Sequence, residues 1–412
     1  MFRPTSKPAR AAAKAAAVSL SAVTACAATP AALASAAPAP APAPAGTVTR
    51  APAPDEATGD DGTAGTAGPH DVVFVQTSGE DGNRVVAYTR TPEGTLREAG
   101  SYETRGDGGR LRGAEAADGR QASQGSLAYV PEESILIAAN SGSGTVSVFE
   151  VDGPKLTLRQ VTPSGGGFPA SIAVHGGIAY VLNAGTGGSV QGFTIDGPRL
   201  EPIAGSRREL GLSTDRSRLQ YTRTPGQAGF TDDGSRLVVT TKANGSLQVF
   251  DVDDDGLLSA EPVTNDRSPS APFAFTTAEN GRLVVADATN TVDTFTLWKD
   301  NTVQPADSTD TGEMGTGRIA RDGGTVYVSH SGSDALTAYQ VDDAGRLTPA
   351  GRTATGAGPT DLAVSPAGDY LYVQTSENGG VETYRIGPDG GLTRTGTTIV
   401  PGAVGGEGIV AP

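Results

Sequence analysis

Three histidines, at positions 70, 175 and 330, and a single cysteine, Cys26, are the only imidazole and thiol groups in this chain of 412 residues. Their scarcity excludes a disulfide framework, a thiolate nucleophile in the body of the chain and a histidine-built metal site. Chemistry then has to come from carboxylates, arginines and one histidine. Arg318 opens an apolar strand, the chain turns at Asp322-Gly323-Gly324, and a second strand returns to His330. An antiparallel return of that length predicts that the guanidinium and the imidazole meet at one end. Asp361 and Glu407 occupy the equivalent place in the segments that follow. Such a set suits acyl chemistry, with His330 as general base toward water and Arg318 steadying the oxyanion. The plainer account of the same residues is a salt bridge between Arg318 and its acidic neighbours, with His330 partly exposed. Neither account requires a cofactor or a metal ion.

The elements that would bring these residues together are repeated. A short apolar strand, a Gly/Asp turn, a second strand, a polar loop, a third alternating strand, an Asp/Gly turn and a fourth strand recur seven times. An aromatic residue marks the third strand of each copy: Tyr88, Phe149, Phe193, Phe250, Phe295, Tyr339 and Tyr384. The spacing averages about 49 residues, in the range of propeller repeats. Seven four-stranded antiparallel units predict an all-β fold, a seven-bladed β-propeller over residues 71–412. The first copy lacks its innermost strand. Glu407-Gly408-Ile409-Val410-Ala411-Pro412 lines up with Asp361-Leu362-Ala363-Val364-Ser365-Pro366, so the C-terminal strand is expected to pair into blade one and close the ring.

Ring geometry turns repeat positions into neighbourhoods. The starts of the inner strands, among them Gln227, Arg318, Asp361 and Glu407, share a mouth with the ends of the second strands, among them Asn183, Asp287 and His330. Two insertions, 103–124 and 205–224, join one blade to the next at that mouth. They carry Arg105, Arg110, Arg112 and Arg120, and Arg207, Arg208, Arg216, Arg218 and Arg223. They read either as a basic canopy that attracts an anion or as solvated flexible loops. Gln227, Arg223, Asp287 and Asn183 are the expected substrate-binding residues. Asp251-Val252-Asp253-Asp254-Asp255-Gly256 imitates a calcium loop, but other copies place plain Asp/Gly turns there, and Pro262 stands where the bidentate acid belongs.

The net charge is −15, and the first fifty residues hold basic side chains and no acid, so the remainder is more acidic still. An acidic surface repels phosphate backbones, which argues against nucleic-acid binding. The basic start followed by small apolar residues reads as a signal peptide over 1–36. Val23-Thr24-Ala25-Cys26 offers a lipid anchor at Cys26 as the alternative. Residues 37–70, rich in Ala, Pro and Gly, read as a disordered spacer. The expected setting is thus secreted, or lipid-anchored to the outer face of the membrane, with no membrane span and a monomeric body.

Copies such as Gly229-Phe230-Thr231-Asp232-Asp233-Gly234-Ser235-Arg236-Leu237-Val238-Val239, followed by Leu247-Gln248-Val249-Phe250-Asp251-Val252, resemble the lactonase-type seven-bladed propellers. That family includes 6-phosphogluconolactonases and carboxymuconate-cyclising enzymes. The resemblance covers residues 71–412 and implies hydrolysis of a small lactone or sugar-acid lactone at the channel mouth, with a small anionic or sugar-derived ligand. Members often carry Pro-Arg-His at the start of an inner strand. Here the matching segment is Pro359-Thr360-Asp361, and Thr316-Gly317-Arg318 keeps the arginine alone. The alternative function is a non-catalytic extracellular binding or scaffold propeller that recognises a glycan, peptide or envelope component.

Overall fold

The computed structural model describes residues 71–412 apart from 216, 218 and 243. The signal-peptide, Cys26 and spacer readings lie outside the described residues, as do Arg216 and Arg218. Seven antiparallel sheets follow one another along the chain, and all but the first take their strands in sequence order from the inside outward. Blade six shows the pattern: Thr316–Asp322, Thr325–His330, Ala335–Val341 and Leu347–Ala354. Its second strand is buried throughout, whereas its outermost strand is exposed apart from Leu347 and Thr353. Packing on both faces explains the unbroken apolar runs of the middle strands, and solvent explains the Thr/Arg/Gly content of the outer ones.

Blades hold one another by their faces. Seven clusters of buried apolar side chains each join two consecutive blades. The cluster between blades seven and one contains Tyr370, Tyr372 and Val381 on one side and Val73, Val86 and Tyr88 on the other. All seven third-strand aromatics are buried in this way. The chain end closes the ring as the repeat alignment predicts: Ile409 pairs with Val75 and Val410 with Phe74, and Gln76 N donates to Gly408 O at 2.8 Å.

Five of the seven inner strands share an irregularity at their first residues. Pairing with the second strand skips between Pro169 and Ser171, Pro225 and Gln227, Pro272 and Ala274, Thr316 and Ile319, and Pro359 and Asp361. Proline cannot donate to a ladder, and a bulge here re-aims the next side chains toward the mouth. At the other end of the blade, Asp253 Oδ1 accepts from the amides of Asp255 (3.0 Å) and Leu257 (2.8 Å), so this acid of the calcium-like run is engaged in its turn. No helix among the described residues is long and apolar enough to cross a membrane.

Candidate active site

The first insertion is packed rather than loose. Leu111, Ala114 and Ala122 form a small apolar cluster with Phe168 and with Tyr221 of the second insertion. From there residues 116–124 run across the mouth. Ser376 Oγ bonds Ala116 O, Arg120 N donates to Gly405 O at 2.8 Å, and Ser123 Oγ donates to Ala170 O at 2.7 Å. Gln124 reaches blade six, where its side-chain amide exchanges two bonds of 2.9 Å with the main chain of Ile319. Blades one, three, six and seven therefore all grip this segment. The canopy arginines serve it locally: Arg110 meets Glu80 at 3.1 Å, Arg120 donates to Ser78 O, and Arg208 donates to Leu258 O and Ser259 O. The basic canopy is thus largely a set of main-chain clamps.

Beside the plug, a cavity of about 600 Å³ opens between blades four, five and six. Arg318 brings a guanidinium to it, Lys242 an amine and Asp118 a carboxylate, with Phe273 as an aromatic wall and Tyr221 and Thr222 as part of its lining. Arg318 Cζ lies 4.6 Å and Lys242 Nζ 5.0 Å from the Phe273 ring centroid. The Arg318 guanidinium donates from Nε to Ser123 O (3.3 Å) and from Nη2 to Asp118 O (2.8 Å), and Nη2 also bonds Glu407. Its Nη1 makes no hydrogen bond among the described residues. Burial pulls this guanidinium down to about 10, against the pull of Asp361 and Asp118, and it stays charged at neutral pH. Lys242 Nζ donates to Ala122 O at 2.6 Å. Burial, helped by the Arg318 charge, holds this amine well below its ordinary range, with Asp118 pulling the other way. Asp118 is half-buried, and its Oδ2 is fixed by the amide of Glu115 at 2.9 Å.

Of the four residues expected to do chemistry, three come together. Arg318 pairs with Glu407, whose other oxygen accepts from the Gln121 amide at 2.9 Å. Asp361 is buried close by and accepts from Leu362 N and Gly408 N, both at 2.9 Å. Two glycines permit this closeness. A Cβ on Gly119, already at φ +74°, would sit 2.0 Å from Glu407 Oε1, and one on Gly226 would sit 2.0 Å from Phe273 O. His330 departs from expectation. The ladder sets it opposite Thr316, two residues before Arg318, and its ring is wholly buried inside blade six. Nδ1 meets Thr316 Oγ1 at 2.8 Å and Nε2 meets Thr337 Oγ1 at 2.7 Å, so neither nitrogen is free for water.

The expected substrate-binding residues do not line this cavity either. Gln227 Oε1 accepts from Phe275 N at 2.7 Å, joining blades four and five. Asp287 caps a loop through Ala271 N and Thr289 N, and Asn183 is tied to Ser164. Arg223 borders a separate cleft of about 180 Å³ beside Gly185–Gly188. Repeat alignment missed three cavity residues. Phe273 follows Pro272 as Gly226 follows Pro225, so registering the prolines would have placed it at the mouth. Lys242 stands one residue beyond Thr241, the end of its strand. Asp118 lies on an insertion with no counterpart in other blades.

The two buried titratable groups give opposite pH signatures. Burial holds His330 down at about 4, so between about pH 6.5 and 4 the unfolded chain takes a proton that the folded chain refuses, and stability falls as pH drops. Burial pushes Asp361 up to about 6, so from about pH 4 to 6 the folded chain keeps a proton that the unfolded chain releases, and stability falls as pH rises. Each effect is worth up to about 3 kcal/mol, and they oppose one another. Against wild type over about pH 4 to 6, His330→Asn is expected to lose stability as pH rises and Asp361→Asn as pH falls. Urea melts across that range check this, and parallel curves for all three proteins would contradict it.

The comparisons agree with this architecture. Over 276 residues the chain is 24% identical to a 6-phosphogluconolactonase of Bacillus subtilis (strain 168), covering 63% of this chain and 78% of that protein. Its fold is similar to that of a periplasmic gluconolactonase of Pseudomonas aeruginosa, with a TM-score of 0.62, 16% identity, and 82% and 98% of the two chains covered. A Lactobacillus plantarum protein has the same fold, with a TM-score of 0.65, 17% identity, and 82% and 98% coverage. Matched over residues 86–405 by the family model described as lactonase, 7-bladed beta-propeller, and built as seven closed blades, the chain belongs to the lactonase family of seven-bladed β-propellers.

Proposed function

We propose that this propeller hydrolyses a small lactone, of the sugar-acid type, in the cavity between blades four, five and six. The observation that carries the reading is the meeting of Arg318, Lys242 and the Asp118 carboxylate around the Phe273 ring in a space of about 600 Å³. In the reaction, Asp118, its orientation fixed by the Glu115 amide, takes a proton from the attacking water and returns it to the ring oxygen as the acyl C–O bond breaks, which leaves the open hydroxy acid. The Nη1 edge of Arg318 faces the oxyanion that develops on the lactone carbonyl, already charged and already held by three acceptors. Lys242 supplies a further hydrogen-bond donor, and the hydroxyls of Ser268, Ser270 and Thr222 suit the hydroxyls of a sugar acid. The packed insertions roof the site, which favours a small ligand over a polymer. Export through residues 1–36, or a lipid on Cys26, belongs to the same proposal, and the intact mass of the exported form reads it directly.

A pH-stat screen of gluconolactone-type lactones tests the reading. Wild type is expected to open at least one faster than buffer, and Asp118→Asn to lower kcat about 100-fold, the scale of a lost general base. His330→Asn is expected to stay within about threefold in kcat, because the ring faces the blade interior. Turnover equal to buffer, or an Asp118→Asn variant as active as wild type, overturns it. The inward turn of His330 favours a second reading, binding without turnover. That reading predicts calorimetric binding of gluconate with no lactone opened.

A further inference from the structure

Residues 71–412 contain three lysines against 23 arginines. Lys155 and Lys299 are exposed, and Lys242 is buried. Where this fold needs only a fixed positive charge it uses arginine, as Arg318 beside Glu407 shows. An amine that can lose its proton is a different reagent. Lys242 lines the cavity with Arg318 as a neighbour, its Nζ makes one hydrogen bond, to the Ala122 carbonyl, and it forms no ion pair among the described residues. A second cation close by, an apolar ring and burial are the surroundings in which a lysine becomes a nucleophile at neutral pH.

We propose that Lys242 is a carbonyl-capturing amine that forms an imine with small oxo acids, whose carboxylate is held by the Nη1 edge of Arg318. The Nζ lone pair attacks the carbonyl carbon and makes the C–N bond, while the carbonyl oxygen takes a proton to give a carbinolamine. Loss of that hydroxyl with a second proton, as water, leaves the iminium. The depressed proton affinity of the amine, from burial and the Arg318 charge, supplies the free lone pair. This inference goes beyond lactone opening and does not depend on it, since it needs the amine and the arginine and no turnover.

The test uses the full chain with glyoxylate and sodium cyanoborohydride, whose hydride reduces the iminium carbon and fixes the adduct as carboxymethyl-lysine. Peptide mapping near neutral pH is expected to show carboxymethylation of Lys242 at about tenfold or more over Lys155 and Lys299, because each unit of pKa depression gives about tenfold more free amine. Glycolaldehyde, which is similar in size and uncharged, is expected to label Lys242 several-fold more slowly. An unlabelled Lys242, or adducts spread evenly over Lys155, Lys242 and Lys299, overturns the proposal. Equal rates for glyoxylate and glycolaldehyde overturn the role given to Arg318.

Discussion

Removing residues 407–412 is expected to abolish cooperative folding. Ile409 and Val410 form the innermost strand of blade one, and Ile409 is buried in the cluster between blades seven and one. Losing Ile409 burial costs about 2–3 kcal/mol. Losing Glu407 strands Arg318 as an unpaired charge in the interior, a further 3–5 kcal/mol or so. Gly408 takes with it the bonds to Gln76 N and to Asp361. Val72–Gln76, buried at every position, becomes an open edge available to other chains. Before the lost backbone bonds are counted, the sum is about 5–8 kcal/mol, already inside the margin of a typical domain, about 5–15 kcal/mol. The truncated chain is expected to show no sigmoidal melt in far-UV circular dichroism and to elute as aggregate in gel filtration, whereas removal of Pro412 alone leaves both unchanged. A truncated chain that melts within about 3 °C of wild type would show that the ring does not need this strand.

The repeat made the ring legible because strand alternation and the third-strand aromatic survive in every blade, and because the tail repeats the acid, the apolar pair and the closing proline of an inner strand. The same logic located Arg318, Asp361 and Glu407, which do gather, since each opens an inner strand. It failed where local backbone departs from the ladder. The bulge between Thr316 and Ile319 shifts the partner of His330 by one position, from Gly317 to Thr316, and a histidine assigned to water instead bridges two threonines inside a blade. The equivalent skip after Pro272 exchanges a proline for Phe273 at the mouth. Lys242, on a turn, and Asp118, on an insertion, have no periodicity to betray them. Their place follows from tertiary contacts of residues 116–124 with several blades, which no single repeat encodes.

Arg318→Met is expected to be the most damaging single substitution at the mouth. It removes a cation that is buried itself and neutralises a buried carboxylate, Glu407, whose remaining partner is the Gln121 amide. Breaking a buried pair in this way costs about 3–5 kcal/mol. It also frees the carbonyls of Ser123 and Asp118, which loosens the plug that roofs the cavity. Glu407→Gln leaves the guanidinium buried and is expected to cost a similar amount, but the double substitution should cost about 2 kcal/mol less than the sum, because neither unpaired charge then remains. Urea melts of the four proteins give the coupling directly, and additive losses would show that the pair is not the keystone of this mouth. Lys242 provides a second readout. Burial is the larger reason that its amine is held low, and the Arg318 charge is the next. In the double variant the amine therefore recovers part of its ordinary basicity, and glyoxylate labelling near neutral pH slows both for want of free amine and for want of the docking cation. A double variant that folds yet labels Lys242 at the wild-type rate would separate the charge that secures the ring from the chemistry of the cavity.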